Sequence, residues 1–424
     1  MTGLVLRGGR VLDPASGSDR VADVLIIDGR IAAVGQVGTV ADAQIVDVSG
    51  LAVLPGLVDL RVASREPGAE HTETLGSLAA ACAHGGVTTA AVLPETDPPI
   101  ETPALVELIL RQSDRIGLTR LKPWAALTQG FQGTALAEIG LLAAAGAIGF
   151  MDGGRPLAHA GVMRRALAYT RPFGKVVANH PADPGLPGVA TEGELATRLG
   201  LSATPAEAEA MMLRRDLALV ALTHGRYHAG PITTAAGVEL IRRAKHDGLA
   251  VTADTALPYI ALNEVAIADY RTDVKVAPPL RAEADRQAVV AGLKDGTLDA
   301  LSSDHQPQDA DAKRLPYLHA APGIAGVETL LVLALEQAHA GAIGLLDLIA
   351  RLTSGPADIL GLPAGRLARG AAADLVLVDL DRAGRIDART FQSKARNTPF
   401  DRRPVQGRIR ATLVDGRVVA GALP

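Results

Sequence analysis

The candidate chemistry begins in residues 56–68, where polar side chains follow an apolar run. Leu57-Val58 predicts a buried strand, and Pro67-Gly68 marks the turn that follows it. Side chains two residues apart in a strand share one face, so such a strand can present two ligands to one metal ion. Here the two positions hold Arg61 and Ala63. Because arginine keeps its proton and alanine has no ligand atom, this strand end offers a cation and no metal ligand.

Other polar residues that could do chemistry also follow apolar runs. His180 comes after one such run, and Asp304-His305 follows another. Imidazole and carboxylate groups bind zinc, but a catalytic zinc site usually needs three protein ligands. We interpret His228 and His305 as packing or hydrogen-bonding residues, and Cys82 as a core residue.

Composition and charge exclude several function classes. The chain has 424 residues, of which 48% are apolar and 21% charged, as is typical of a globular protein. A net charge of −4 and a pI of about 6.2 do not favour binding to nucleic acid or to an acidic membrane. The single cysteine excludes an internal disulfide and suits a reducing compartment. Without a signal-peptide pattern or a membrane-spanning stretch, the chain is expected to be cytoplasmic.

The apolar pattern divides the chain into two kinds of unit. Residues 1–54 and 365–424 predict short strands, with turn signals such as Asp28-Gly29 and Asp415-Gly416 that favour hairpins. Over residues 55–364 strands alternate with helices, which is typical of parallel βαβ units closed into a barrel. Each terminal unit is too small to stand alone. We therefore predict an α/β protein with a (β/α)₈ TIM-type barrel and a small composite β-sandwich built from both termini.

Two helix starts are marked by their sequences. A helical pattern covers Thr74–Ala83 and stops at Gly85-Gly86. Thr204-Pro205-Ala206-Glu207 reads as a capping box with proline at the first helical position, opening a helix that extends to about Leu222.

The order of segments resembles the amidohydrolase superfamily and, within it, the dihydroorotase family of the longer, bacterial type. The resemblance covers nearly the whole chain, and its segments are specific in this order and at these spacings. The matching segments are Asp23–Ile31, Pro55–Asp59, Arg65–Gly68, Glu192–Glu194, Gly225–His228, Pro278–Arg281, Leu293–Thr297, Ser303–His305, Gly326–Thr329, Ser393-Lys394 and Asn397–Phe400. The resemblance implies a barrel of the amidohydrolase kind.

The family hydrolyses a cyclic amide with a metal-bound hydroxide that attacks the ring carbonyl. Its metal is held by two first-strand histidines, a carboxylate after the fourth strand, two further histidines and an aspartate after the eighth strand. The resemblance places the first-strand pair at Arg61 and Ala63. It places the carboxylate ligand at Gly153 and the last histidine at Pro231. Four of the family's ligand positions are therefore degenerate in this chain.

Three residues remain from the family's metal site. His180 and Asp304 match ligand positions, and Asp152 is the one acid left beside Gly153. Because so few ligands would hold zinc poorly, we expect neither a metal nor another cofactor. Asp304 is then a remnant, and no catalytic residue is expected.

The family's substrate pocket is also altered. Arg65 matches the arginine that binds substrate and is kept as a remnant. Two positions that are asparagine in the family hold Glu95 and Ala277, and a loop histidine is replaced by Gln308. Dihydroorotate carries a carboxylate, which Glu95 would repel.

We predict that the Arg61 guanidinium fills the vacated metal site and forms an ion pair with Asp304. Both side chains would point into the barrel mouth, where a guanidinium can replace the positive charge of the ion. A solvent-exposed Arg61, or one that takes part in catalysis, is the alternative interpretation.

The resemblance implies a catalytically inactive dihydroorotase homologue that serves as a structural or regulatory partner of aspartate carbamoyltransferase in de novo pyrimidine biosynthesis. Such non-catalytic chains occur beside the transcarbamoylase in bacteria with a separate active dihydroorotase, and a homo-oligomer is compatible with this role. The alternative is an active cyclic-amide hydrolase with a mononuclear zinc site formed by His180, Asp304 and Asp152. A third possibility is a sensor that uses Arg65 to bind a carboxylated pyrimidine precursor.

Overall fold

The computed structural model describes residues 3–424 and begins with a group of paired strands. These are β1 (Gly3–Asp13), β2 (Ser18–Ile27), β3 (Arg30–Gly35), β4 (Ala43–Asp47) and β5 (Ala52–Pro55). Asp28 and Gly29 join β2 to β3 with φ angles of 48° and 77°, the left-handed conformation that a tight hairpin turn needs. The hairpin predicted at this Asp-Gly pair is confirmed.

Ten strands follow, and eight of them close the barrel. They are β6 (Leu57–Val62), β7 (Val87–Val92), β8 (Arg120–Pro123), β9 (Gly149–Phe150), β10 (Val176–Asn179), β11 (Ala190–Thr191), β12 (Ala203–Thr204), β13 (Tyr227–Ala229), β14 (Val251–Ala256) and β15 (Ala300–Ser302). β11 and β12 pair only with each other. The other eight are parallel neighbours, and a parallel bridge from Val62 to His305 closes the ring. The predicted (β/α)₈ barrel is confirmed.

Helices surround this barrel. They are α1 (Leu75–His84), α2 (Pro103–Ile116), α3 (Ile139–Ala144), α4 (Ala160–Thr170), α5 (Glu194–Leu199), α6 (Glu207–Thr223), α7 (Ala235–His246), α8 (Leu257–Ala261), α9 (Glu283–Asp295), α10 (Ala310–Arg314), α11 (Leu330–His339), α12 (Leu345–Leu352) and α13 (Ser354–Leu360). Thr74 caps α1 by accepting a hydrogen bond from the Ser77 backbone N–H, and the Ser77 hydroxyl accepts one from the Thr74 N–H. Within residues 3–424, no helix is long and apolar enough to cross a membrane.

The capping box predicted at Thr204 is wrong. Thr204 belongs to β12, where it pairs with Thr191, and α6 begins only at Glu207. No side chain caps the start of this helix. The sequence matches the capping-box motif, but Thr204 lies in the strand that precedes the helix and is therefore not the N-cap.

The chain returns to the first sheet at its carboxyl end. The last strands are β16 (Leu375–Arg385), β17 (Pro404–Val414) and β18 (Arg417–Gly421). β16 pairs with β5, so the sheet order is β18-β17-β16-β5-β1-β2-β3, with β4 beside β1. The second predicted hairpin, at Asp415-Gly416, joins β17 to β18. The composite β-sandwich from both termini is therefore present.

Three apolar cores hold these layers together. The largest lies between the barrel strands and their helices, and a second fills the β-sandwich. A third lies inside the barrel, where the Trp124 indole N–H donates to the Leu60 carbonyl at 3.0 Å. Ile359 and Leu360 of α13 pack against this interior core. The barrel interior is thus filled by apolar side chains.

Candidate active site at the carboxyl-terminal mouth

A cavity of about 240 Å³ opens where the barrel strands end. Six residues singled out from the sequence line it together, namely Arg61, Arg65, Glu95, Ala277, Asp304 and Gln308. Sequence reasoning missed five other lining residues, namely Gly154, Arg155, Gln306, Pro322 and Gly323. A larger cavity of about 710 Å³ lies beside it and shares only Gln308 with it. The smaller cavity is the candidate site because it contains the residues at the ends of the barrel strands.

Arg61 occupies the floor of this cavity. Its side chain is 6% exposed, and its Nε atom donates to Asp304 Oδ1 at 3.4 Å. Its Nη1 atom also donates to the Gly230 carbonyl at 3.2 Å. Burial lowers the pKa of Arg61, and the carboxylates of Asp304 and Asp254 raise it above its ordinary value, so the guanidinium stays charged. The predicted Arg61–Asp304 ion pair is present.

A β-bulge in β6 directs the Arg61 side chain. The pairing of β6 with β7 shifts between Asp59 and Val62, so that the simple alternation of faces is interrupted there. Asp59 stabilises the bulge because its Oδ1 accepts the Arg61 backbone N–H at 3.1 Å and the Ser303 N–H at 3.2 Å. Burial raises the pKa of Asp59 to about 6. Ala63, beyond the bulge, packs into the interior core.

His180 lies just beyond β10 and is 4% exposed. Its Nδ1 atom is buried and has no hydrogen-bond partner among the described residues. Burial, together with the charges of Arg61 and Arg281, lowers the pKa of His180 to about 3. His180 is therefore a neutral imidazole with the permanent cation Arg61 as a neighbour.

The Asp152 carboxylate binds a neighbouring loop and does not line the cavity. Its Oδ1 accepts the backbone N–H groups of Leu127 and Thr128, both at 2.9 Å. Its Oδ2 accepts the Thr128 hydroxyl at 2.5 Å. With both oxygens engaged, Asp152 fixes the loop after β8.

Glu95 fills the space that a side chain at position 153 would take. Gly153 has a φ of +64°, and a Cβ atom built on it would lie 2.2 Å from Glu95 Cγ. The neighbouring Gly154 N–H donates to Glu95 Oε1 at 3.1 Å, which fixes the carboxylate in this position. From this position beside Gly153, the Glu95 carboxylate favours the charged forms of Arg61 and Arg65.

Replacing Gly153 by alanine is expected to lower the free energy of unfolding by about 2 kcal/mol, from backbone strain and from the clash with Glu95. In a Glu95→Ala background the clash is gone and only the strain remains, about 1 kcal/mol. Urea denaturation of the two single variants and the double variant measures both terms. Equal losses in the two backgrounds would contradict the steric coupling between these positions.

Arg65 is held by the loop after β15. Its Nη2 atom donates to Gln306 Oε1 at 2.7 Å, and its Nε to the Pro307 carbonyl at 3.4 Å. Arg155, another cation of the cavity, lies over the Phe131 ring at 5.0 Å from its centroid. The only sequence signal for Arg155 is its position three residues after Asp152, in a segment that already contained two candidate site residues.

His228 and His305 are buried and hydrogen-bonded, in agreement with their interpretation as packing residues. His228 contacts Thr252 Oγ1 through Nδ1 at 2.9 Å and Asp254 Oδ1 through Nε2 at 3.3 Å. His305 Nε2 contacts the Glu73 carboxylate at 3.4 Å. Asp254 was missed by sequence reasoning, although it is an acid near the end of a predicted strand.

The residues at the mouth do not fit a metal ion. Of the two retained ligand positions, Asp304 is bonded to the Arg61 guanidinium, and His180 has that same cation as its neighbour. Pro231 offers no ligand atom, and position 153 is a glycine. Across residues 3–424, no three His, Cys, Asp or Glu side chains are grouped so that they could hold a metal ion. A guanidinium with its counter-charges occupies the place where ligands would have to converge.

Solved structures that resemble this chain include a hydantoinase and a dihydropyrimidinase. L-hydantoinase (dihydropyrimidinase) from Arthrobacter aurescens superimposes with a TM-score of 0.87 at 25% identity, over 100% of this chain and 98% of that one. Dihydropyrimidinase from Brevibacillus agri gives a TM-score of 0.84 at 20% identity, over 99% and 95% of the two chains. The architecture is that of an amidohydrolase barrel with a β-sandwich.

Sequence relatives narrow the family. The dihydro-orotase-like family profile matches residues 50–236. A dihydroorotase from Anaeromyxobacter dehalogenans is 44% identical over 421 residues, which are 98% of this chain and 97% of the relative. A dihydroorotase-like protein from Pseudomonas aeruginosa is 42% identical over 416 residues, 97% and 98% of the two chains. With this similarity over its whole length, the chain belongs to the dihydroorotase-like family of the amidohydrolase superfamily.

Proposed function

We propose that this chain is a dihydroorotase homologue without hydrolase activity, which acts in the cytoplasm as a structural or regulatory partner of aspartate carbamoyltransferase in pyrimidine biosynthesis. The first half rests on one observation, the buried ion pair of Arg61 with Asp304 at the barrel mouth. The family reaction needs an ion that binds water and lowers its pKa. A guanidinium carries positive charge but has no site for a coordinated hydroxide.

The rest of the cavity supports the same proposal. Asp304 would be the base of the reaction, but its carboxylate is held by Arg61, and a base of this kind acts on a hydroxide that a metal ion supplies. Glu95 places a carboxylate where a substrate carboxylate would enter beside Arg65. Glu95 and Asp304 therefore offset two of the three arginines of the cavity and leave one net positive charge for an anionic substrate.

The partner is proposed from the family resemblance together with the intact framework. All eight barrel strands and the composite sheet are formed, whereas the residues of the mouth are altered. A chain that keeps its scaffold without a metal centre still has a surface to offer. A homo-oligomer within such a complex is compatible with the proposal.

An active cyclic-amide hydrolase is the second candidate. It is favoured by the names of the relatives, because a 44% identical protein is a dihydroorotase. It would need a mononuclear zinc site formed by His180, Asp304 and Asp152. Asp152 would then have to release the loop groups that it binds, and Asp304 would have to release Arg61.

Zinc content and hydrolysis separate the two candidates. The purified chain is incubated with excess zinc, desalted and assayed for bound zinc and for dihydroorotate hydrolysis, with the Anaeromyxobacter dehalogenans dihydroorotase as positive control. We expect less than about a tenth of an equivalent of zinc and no turnover, because fewer than three ligands converge. Near one equivalent, lost in Asp304→Ala, together with turnover, would overturn the proposal in favour of the enzyme.

Co-elution tests the partner. The chain is mixed with the aspartate carbamoyltransferase of the same organism and separated by size-exclusion chromatography with light scattering. We expect one complex of defined stoichiometry. The Arg61→Met variant shows whether the barrel mouth contacts the transcarbamoylase, because an unchanged complex places the contact elsewhere on the chain. Separate elution at micromolar concentrations of both proteins would refute the partnership.

A further inference from the structure

A second polar cavity lies at the opposite, amino-terminal mouth of the barrel. It has a volume of about 640 Å³ and lies among the starts of β7 and β8, the segment after α13 and the turns of the composite sheet. The interior core that includes Leu60, Ala91 and Trp124 separates it from the candidate active site. The chemistry of this cavity is therefore independent of the proposed function.

Two side chains inside the barrel face this cavity. Thr89 and Ala91 lie on one face of β7, and Ala91 belongs to the interior core. Lys122 pairs with Ala91 and lies on the same face of β8 as the interior residue Trp124. Strand alternation therefore directs Thr89 and Lys122 into the lower end of the barrel, where both line the cavity.

Both of these polar groups lack partners among the described residues. The Thr89 hydroxyl is buried in a residue that is only 2% exposed, and it makes no hydrogen bond. Within residues 3–424, the Lys122 ammonium forms no hydrogen bond and no ion pair. A buried hydroxyl and a half-buried ammonium that point into one cavity are donors without an acceptor.

The two acids of the cavity share one guanidinium. Asp374 accepts Arg120 Nε at 2.8 Å and Nη2 at 3.2 Å, and Asp415 accepts the same Nη2 at 2.7 Å. Arg30, a further lining cation, donates to the Gly370 carbonyl and has no carboxylate partner among the described residues. Arg30, Arg120 and Lys122 thus outnumber the two acids, and these five residues give the cavity a net charge of +1.

We propose that this cavity binds the phosphoryl group of a small phosphorylated metabolite. A phosphate monoester is an anion with three acceptor oxygens, which can accept hydrogen bonds from Lys122, Arg30 and the Thr89 hydroxyl. The cavity is larger than a bare phosphate ion, and the segment from Leu362 to Ala364 offers apolar surface to an organic group. The ligand is an oxyanion ester, held by Lys122, Thr89 and Arg30.

Calorimetric titration with ribose 5-phosphate tests the site. We expect submillimolar binding to the wild-type chain and a loss of affinity of about tenfold or more in Lys122→Gln, the effect of one charge-assisted hydrogen bond. Thr89→Val is expected to weaken binding by about fivefold. Lys294→Gln, which changes an exposed lysine of α9 outside the cavity, is the matched control and should bind like the wild type.

Inorganic phosphate and unphosphorylated ribose complete the experiment. Tighter binding of the sugar phosphate than of phosphate identifies the ester as occupant, equal binding identifies the free ion, and ribose should not bind. Because Lys122 makes no internal hydrogen bond, its glutamine variant should fold like the wild type, which thermal unfolding checks. No binding of either phosphate to the wild type at millimolar concentration, or unchanged affinity in Lys122→Gln, would overturn the proposal.

Discussion

Replacing Arg61 by methionine lowers the free energy of unfolding by about 3 kcal/mol at pH 7.5, because it leaves a buried charge without its partner. Asp304 has a side chain that is only 9% exposed, and Arg61 is the cation that it contacts. Methionine keeps much of the length of arginine, so packing loss is small and the electrostatic part dominates. Urea denaturation followed by circular dichroism measures the difference.

The size of this loss depends on pH in a defined direction. Burial already raises the pKa of Asp304 in the folded chain, and Arg61 opposes that rise, so removing Arg61 raises this pKa further. A carboxyl with a raised pKa takes up its proton more readily in the folded state than in the unfolded state. The variant therefore loses most stability above the folded pKa of Asp304, and the loss shrinks as the pH falls.

A double variant supplies the control for this prediction. Arg61→Met with Asp304→Asn removes both charges, and asparagine tolerates the left-handed backbone of position 304, where φ is 48°. We expect this chain to recover a large part of the stability lost in the single variant, and to lose the pH dependence. If Arg61→Met unfolds at the same urea concentration as the wild type, the ion pair does not stabilise the mouth.

Restoring histidine at positions 61 and 63 will not restore dihydroorotate hydrolysis. The Arg61→His and Ala63→His double variant regains two ligand positions beside His180 and Asp304, but position 153 stays a glycine whose side-chain space is filled by Glu95. The last histidine position remains Pro231. We expect turnover below detection at saturating zinc, measured by the change in ultraviolet absorbance of dihydroorotate.

Restoring the remaining ligand positions as well tests whether Glu95, Gly153 and Pro231 prevent metal binding. Adding Glu95→Ala, Gly153→Asp and Pro231→His removes the steric conflict and supplies the missing ligands, so the variant with five substitutions should bind zinc more tightly than the double variant. Ala63→His alone, which keeps Arg61, controls for folding. Clear hydrolysis by the double variant would show that the remaining pocket is competent as it stands.

The fold was predictable because its signals are repeated along the chain. Alternation of strands and helices over residues 55–364 points to a barrel, and Asp-Gly pairs mark the hairpins at both termini. The failure at Thr204 has a local reason, since capping motifs consist of few residues and a strand can claim the same threonine. The pairing of Thr204 with Thr191 places this threonine in the strand and prevents it from capping the helix.

The site was predictable only in part. The Arg61–Asp304 pair follows from two residues at the ends of neighbouring strands, a relation that topology alone defines. The filling of position 153 by Glu95 depends on a glycine with positive φ and on one side-chain conformation, neither of which has a sequence pattern. The bulge at Asp59 is likewise a matter of strand register. Such short-range geometry can be seen only in the three-dimensional structure.

The composite sheet has a consequence for synthesis on the ribosome. Val53 of β5 pairs with Leu377 of β16, more than 300 residues later in the chain. At about 5–20 residues per second, β5 stays without its neighbour for roughly 15 to 65 s while the barrel is being made. During that interval the edge of the amino-terminal sheet exposes unpaired backbone groups, which can recruit strands from other nascent chains. Chaperone binding to this edge would be most useful in the period before residue 378 emerges.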